Sequence, residues 1–361
     1  MAFAPFARSP FNTDEDVRRH RRRFRLGYGL FAVAASVSLT ACGGGGSDDE
    51  GGPVELTTAQ RVAAATQTAQ SAANACSPIR PFYWEVGDRT GRLASGSLTV
   101  ANDPTTYDID SVMAIASASK WLYGAYVAQV RQGALTDSDV QFLTFRSGYT
   151  SFSTCLPTQS VDECVAYRRN GELTPSHEGR FSYGGAHMEK HASLNGLGNL
   201  RNASLAAEVR SQLGSDVVLG YSQAQLAGGV YTTPGDYARF LRKLLDGSLK
   251  LGALLGQHAV CTNPATCAQA INAPTPANES LHYAIGHWVE DDPLVGDGAF
   301  NSAGAFGFYP WIDASKTWYG TVARKQVPTG DTALDQSLGE GVRSMQCGRL
   351  IRKAWTTGVP G

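Results

Sequence analysis

Ile115-Ala116-Ser117-Ala118-Ser119-Lys120-Trp121-Leu122 places a serine and a lysine three residues apart at the head of an apolar run. Residues three apart share one face of a helix, so Lys120 Nζ comes within reach of Ser117 Oγ. The start of a helix adds unpaired N–H groups and partial positive charge where an oxyanion would develop. Those are the parts that acyl transfer through a serine ester needs: a nucleophile, an activating neighbour and donors for a developing anion. Ala, Leu, Tyr and Val at helical spacing from Met113 to Gln132 predict that the pair sits on the first turn of one helix. A four-residue motif is a short signal, and the rest of the chain has to supply its context.

The N-terminus reads as an export signal. Arg8, Arg18, Arg19, Arg21, Arg22, Arg23 and Arg25 precede an apolar stretch from Leu26 to Leu39 that is too short, and too rich in Ala, Gly and Ser, to span a membrane. It closes on Leu39-Thr40-Ala41-Cys42, which resembles a bacterial lipobox with cleavage before Cys42 and a lipid on its thiol. The run Gly43 to Gly52 behind it is a flexible acidic tether. The expected organisation is a signal peptide over 1–41, a tether over 42–55 and one functional domain over 56–361. Without the signal the chain carries 24 basic and 29 acidic side chains and no basic run, which argues against nucleic acid as a partner.

Cysteine use agrees with export. Beyond Cys42 there are six, an even number suited to an oxidising compartment. Six cysteines allow 15 pairings, so connectivity does not follow from sequence. Local spacing favours Cys155–Cys164 and Cys261–Cys267, leaving Cys76 for Cys347. Zinc is the competing use, and the lack of a Cys-x-x-Cys pair counts against it.

Leu56 to Ala75 is helix-prone, and Phe82 to Val86 and Leu93 to Val100 flank a turn at Gly87-Asp88-Arg89-Thr90-Gly91. Residues 134–225 read as an inserted, mostly helical and loop region. Thr233-Pro234-Gly235-Asp236 opens a helix with Thr233 as N-cap, Pro234 at N1 and Asp236 at N3. Strands are expected at His282 to Val289, Gly304 to Asp313 and Trp318 to Arg324, then a last helix from Leu334 to Trp355. Strands at both ends around a helical middle imply an α+β domain split by a helical insertion.

Five segments, in order, carry a family resemblance. They are Ile115 to Leu122, Leu143 to Tyr149, Gly179 to Gly185, Leu226 to Phe240 and Ser302 to Gly307. Over roughly residues 80–345 the chain resembles the serine β-lactamase-like hydrolases, in the branch with class C β-lactamases, D-alanyl-D-alanine carboxypeptidases, family VIII esterases and 6-aminohexanoate-dimer hydrolases. The resemblance implies a β-lactamase/transpeptidase-like α+β fold, an antiparallel sheet flanked by N- and C-terminal helices with a mostly helical inserted subdomain. Those two helices lie side by side in that fold, so Cys76–Cys347 would tie them together. It also implies Ser117 as nucleophile, Lys120 as its activating neighbour, and Tyr183 as the group that takes the Ser117 proton and returns it to the leaving group. A tyrosine near pKa 10 is a poor base, so Lys120 would have to favour its ionised form. The oxyanion hole would be the backbone N–H groups of Ser117 and Ala305, and no cofactor is implied.

Two departures bear on the substrate. Tyr183-Gly184-Gly185 stands where the family has Tyr-x-Asn, so Gly185 lacks the amide that would hold an acyl-amide carbonyl. Ser302-Ala303-Gly304 stands where Lys-Thr-Gly or His-x-Gly is usual, so Ser302 replaces the cation that meets a β-lactam or peptide carboxylate, with Gly304 retained. Each lost charge-assisted hydrogen bond in a closed site costs on the order of 2 kcal/mol. A small or neutral ester, or an oligomeric amide without that carboxylate, fits better than a penicillin. Two other readings stand beside this one: a penicillin-recognising enzyme with replacement anchors, and a non-catalytic binding lipoprotein of the same fold. His187 and His191 lie four apart without forming His-Glu-x-x-His, and a cleft-lining or surface helix is expected there rather than a metal site.

The expected location is the bacterial cell envelope, periplasmic or outer-membrane, with Cys42 holding the chain to a membrane. Mature protein should therefore partition into detergent and begin at an acylated Cys42. Intact-mass analysis showing an unmodified Cys42 in a freely soluble form would refute the lipobox reading.

Overall fold

The computed structural model describes residues 55–327 and 339–361. The signal peptide, most of the tether, Cys42 and the first residues of the expected C-terminal helix lie outside that range. Helix α1 (Thr58–Gln70) opens on a reciprocal cap, in which Thr57 Oγ1 accepts from the Gln60 N–H and Gln60 Oε1 accepts from the Thr57 N–H. The hairpin β1 (Phe82–Asp88) and β2 (Arg92–Leu98) turns where Asp88 Oδ1 accepts from the amides of Thr90 and Gly91. Next come β3 (Met113–Ala114), α2 (Ser119–Val130), α3 (Asp137–Leu143) and α4 (Val161–Val165). They are followed by β4 (Phe181–Ser182), α5 (Ala186–Ala192) and α6 (Asn202–Leu213). Strands β5 (Leu219–Tyr221) and β6 (Val230–Thr232) lead into α7 (Pro234–Leu245) and α8 (Leu251–Leu254). The chain then alternates β7 (Val260–Cys261), β8 (Ala270–Asn272), β9 (His282–Tyr283) and β10 (Trp288–Glu290). It closes with β11 (Ala299–Asn301), β12 (Tyr309–Ile312), β13 (Trp318–Ala323) and α9 (Glu340–Thr357).

One eight-stranded sheet, ordered β2-β1-β13-β12-β11-β10-β9-β7, is antiparallel at every pairing. Strands from both ends of the sequence meet at β1 and β13, so the fold is α+β with the helical middle projecting from a split sheet. Side chains alternate across it. Phe82, Trp84, Val86, Tyr309, Trp311 and Val322 face α1 and α9 and pack with Ala65, Ala69, Met345, Ile351 and Trp355. Tyr83, Ile312, Tyr319 and Ala323 face the opposite way, into the larger core around α2 and α7. Helices α1 and α9 flank the first face together, with Arg61 Nη1 donating to the Trp355 carbonyl at 2.9 Å.

Disulfides join Cys76 to Cys347, Cys155 to Cys164 and Cys261 to Cys267. The first closes a separation of 271 residues and links the end of the α1 segment to the middle of α9.

Three local expectations change. Met113 to Gln132 is not one helix: Met113 and Ala114 form β3 against β6, Ala116 to Ala118 make a tight 3₁₀ turn, and the α-helix starts at Ser119. The strand expected over 282–289 is broken at Gly286, which takes φ +71 so that its Cα can lie against the Lys120 carbonyl of α2. The strand expected from Gly304 begins only at Tyr309, because Gly304 and Phe308 close a turn with a 2.8 Å bond. Helix α7, in contrast, starts as its sequence indicates, with Thr233 Oγ1 accepting from the Asp236 N–H.

The Cys76–Cys347 bridge closes so long a loop that it removes much unfolded-state entropy, a stabilisation on the order of 3–5 kcal/mol in the chain-entropy account. Replacing both cysteines by serine should lower the unfolding free energy by that amount in urea titrations. Non-reducing peptide mapping that finds either cysteine free or otherwise paired would contradict the fold described here.

Candidate active site

Ser117 sits on the 3₁₀ turn, directly after Ala116, whose φ of +44° is a left-handed conformation that a non-glycine residue adopts only under constraint. The constraint is visible. The Ile115 N–H donates to the Val230 carbonyl at 3.1 Å. Ser119 Oγ donates to the Ala116 carbonyl at 2.6 Å and accepts from the Val230 N–H at 3.3 Å. Tyr237 of α7 donates its hydroxyl to the Ala118 carbonyl at 2.9 Å. Four residues around the serine are thereby pinned to β6 and α7, which presents Ser117 half-buried.

Lys120, 4 % exposed, donates from Nζ to Ser117 Oγ at 3.0 Å and to the Ala227 carbonyl at 2.8 Å. Burial pulls its pKa down to about 7, with the nearby Glu189 carboxylate pulling the other way. The same ammonium lies 4.9 Å from the centroid of the Tyr183 ring. Tyr183 follows β4, which pairs in parallel with β8, and its N–H donates to the Asn272 carbonyl at 3.2 Å. Its ring stacks on Trp288 at 5.3 Å and meets Phe145 and Tyr283 edge-on. Burial pushes the phenol up to about 12, while hydrogen bonds from Ser117 and Trp288 act in the opposite direction. Ser117, Lys120 and Tyr183 are thus brought together, but burial works against the phenolate that the sequence reading requires. Of the two partners of Ser117, the lysine has the lower proton affinity.

The segment 302–305 runs alongside Ser117. Ser302, almost wholly buried, donates Oγ to the Ser117 carbonyl at 3.0 Å, so its hydroxyl holds the serine's backbone. A Cβ on Gly304 would stand 2.1 Å from the Ile115 carbonyl oxygen, which makes glycine obligatory there. Ala305 is exposed on this turn, and among the described residues no acceptor meets its N–H. At the other wall, Gly185 is the buried N-cap of α5, and a Cβ there would come 3.1 Å from the Phe152 ring. An aromatic ring closes over the position where an asparagine amide would project.

Helix α5 is not the surface or cleft-lining helix expected: His187, Met188, Glu189 and His191 are all buried. His187 Nε2 lies 2.9 Å from the Ser182 carbonyl, which can only accept, so Nδ1 accepts from Ser147 Oγ at 2.7 Å. Burial lowers its pKa to about 4 and keeps it neutral beneath β4. His191 reaches Tyr123 and Asp139 instead, so the two histidines have separate partners rather than a shared ligand. Glu189 is fully buried and accepts from the N–H groups of Leu226 and Ala227 at 2.9 and 3.0 Å. Sequence reasoning had no role for Glu189, Ser119 or Tyr237. Glu189 had one available signal, the lone carboxylate of its helix, six residues after Tyr183.

No family model matches this sequence, and no curated protein matches it closely enough to count as a relative. Solved structures do match. A candidate β-lactamase from Bacteroides dorei DSM 17855 superposes with a TM-score of 0.55 at 19% identity, covering 75% of this chain and 94% of that one. The octameric penicillin-binding protein homologue of Pyrococcus abyssi gives 0.54 at 12% identity over 79% and 76% of the two chains. A candidate 6-aminohexanoate-dimer hydrolase from Bacillus anthracis gives 0.52 at 13% identity over 77% and 80%. At such identities the likeness shows the fold alone, and that fold is the serine β-lactamase/penicillin-binding-protein fold.

Gly304→Ala drives a methyl into the Ile115 carbonyl and must displace the turn that carries Ser117. Overpacking of this kind typically costs about 1–3 kcal/mol. A melting curve should show that loss, and reaction of Ser117 with a fluorophosphonate probe should fall with it; wild-type behaviour on both counts would refute the close approach.

Proposed function

We propose that this chain is an exported, lipid-anchored serine hydrolase that cleaves a small or neutral ester, or an amide without a neighbouring carboxylate, through an acyl-enzyme on Ser117. The observation that carries the reading is the 3.0 Å contact between Ser117 Oγ and a buried Lys120 whose pKa lies at about 7. An amine of that pKa is half-neutral at physiological pH and already within proton-transfer distance of the nucleophile.

Ser117 Oγ attacks the substrate carbonyl carbon as its proton passes to Lys120 Nζ. The N–H groups of Ser117 and Ala305 receive the oxyanion of the tetrahedral intermediate. Collapse breaks the bond to the leaving group, which takes a proton from the Tyr183 hydroxyl while the Lys120 ammonium reprotonates Tyr183. Tyr183 then acts as a neutral relay, in keeping with a phenol pushed up to about 12. Water attacks the acyl ester in the second half by the reverse route, losing its proton through the same pair and leaving Ser117 free. Gly185 under Phe152 offers no amide to a substrate carbonyl, and Ser302, turned to the Ser117 backbone, offers no cation to a carboxylate. Both points favour a neutral substrate. Three disulfides suit an oxidising compartment, and with the lipobox-like segment they support an envelope location.

Short-chain p-nitrophenyl esters should be turned over and a chromogenic cephalosporin hydrolysed poorly. Ser117→Ala, Lys120→Ala and Tyr183→Phe should each remove most of the rate, and double variants little more, since the three act as a unit. The neutral amine is the base, so kcat/KM should rise as pH increases through about 7 and fall below it. Ester turnover that survives Ser117→Ala refutes the assignment, and fast cephalosporin hydrolysis reverses the substrate argument.

A further inference from the structure

Beneath the reacting groups lies a buried carboxylate that the acyl-transfer scheme does not use. Glu189 of α5 accepts two main-chain hydrogen bonds, from Leu226 at 2.9 Å and Ala227 at 3.0 Å. The carbonyl of that same Ala227 receives Lys120 Nζ at 2.8 Å. A glutamate, one peptide segment and the lysine therefore form a continuous chain ending on Ser117 Oγ at 3.0 Å. We propose that Glu189 is the positioning residue of Lys120: its carboxylate fixes the Leu226–Ala227 main chain, whose carbonyl holds the amine against the nucleophile. The inference rests on the hydrolase reading above and extends it to a residue outside the reacting groups.

A fully buried carboxylate is costly unless its lone pairs are met, and the two amides meet them. The arrangement also places a carboxyl group near the amine; burial pushes its pKa up to about 7, while the two amides and Lys120 favour its charged form. The other titratable groups facing the pair are Tyr123 on α2, Tyr221 on β5, Tyr183, and His187 on α5. Burial holds those tyrosines and His187 neutral. Asp139 of α3 lies further along and is paired with Arg131 and His191. Glu189 is left as the acidic group whose ionised form sustains a proton on Lys120 against desolvation.

Glu189→Gln removes the charge and turns an NH₂ group toward one of the two amides, so it disturbs both the position and the field. The expected result is a loss of kcat on the order of 10²-fold, as for about 1 Å of misplacement, with KM for a p-nitrophenyl ester nearly unchanged. The acid limb of the pH–rate profile should move to lower pH, and so should the Lys120 ¹⁵Nζ titration followed by NMR. Glu189→Asp, which keeps the charge on a shorter arm, should restore the limb but only part of the rate. A Glu189→Gln enzyme that loses thermal stability yet keeps the wild-type limb and Lys120 midpoint overturns the proposal. If that variant does not fold, wild-type protein decides: a Glu189 ¹³Cδ resonance titrating independently of Lys120, in the ordinary glutamate range, overturns it equally. Wild-type Ser117 that fails to react with esters or a fluorophosphonate refutes the hydrolase reading itself, an outcome separate from either of these.

Discussion

The arrangement depends on keeping one ammonium out of water. Solvation favours a charged lysine, and Lys120 is denied it on α2, where ten consecutive residues from Ser119 to Ala128 are buried. Desolvation lowers its proton affinity into the range where a lysine can serve as a base. Two glycines permit the burial. Gly124 lies so close to the Ile285 carbonyl that a Cβ would stand 2.7 Å from it, and Gly286 meets the Lys120 carbonyl at 2.5 Å by the same measure. A side chain at either position would push α2 off the β9–β10 turn and open a path for water to the amine.

The parts that read well in the sequence are those governed by local periodicity or turn chemistry. Thr233-Pro234-Gly235-Asp236 caps α7 because the cap needs only those four residues, and the β1–β2 hairpin forms around its Asp-Arg-Thr-Gly turn. The α+β class follows from strands at both ends of the chain and a helical middle, and the flanking of the sheet by α1 and α9 from the family resemblance. What did not read well depends on contacts between distant segments. The strained turn before Ser117 exists because Val230, Tyr237 and Ser302 hold it, across 111 to 185 residues of sequence. The breaks at Gly286 and Gly304 are likewise imposed by the close backbone of 115–124, to which periodicity within one strand is blind. Helix α5 shows the same failure in reverse: His187, Glu189 and His191 look solvated in sequence, yet each has a buried partner supplied by another element.

Proton affinities are less legible still. The Tyr183 phenol and the Lys120 amine have ordinary values about half a unit apart, and sequence gives no reason to separate them. In the fold, burial moves them in opposite directions, the acid upward and the base downward, because it penalises the charged form of each. The separation of the two proton affinities is therefore a property of packing. Trp288, Phe145 and Tyr283 around the phenol do as much to set it as any charged neighbour.

Such a site is costly to maintain. A left-handed alanine, a buried amine and a buried carboxylate each raise the energy of the folded state, and the disulfides lie where that cost is borne. Cys76–Cys347 clamps α1 to α9 behind the sheet, and α9 begins where Gly341 packs on the Gly304 carbonyl beside the turn that carries Ala305. Cys261–Cys267 precedes β8, the strand whose Asn272 carbonyl receives the Tyr183 amide. Cys155–Cys164 braces the loop that carries Phe152 over Gly185, with Asn170 bonding Ser153, Thr154 and Cys164 across it. Each bridge constrains the unfolded chain. A fold stabilised through its unfolded state can keep strain at the nucleophile that a core of the same size without cross-links would be under pressure to relax.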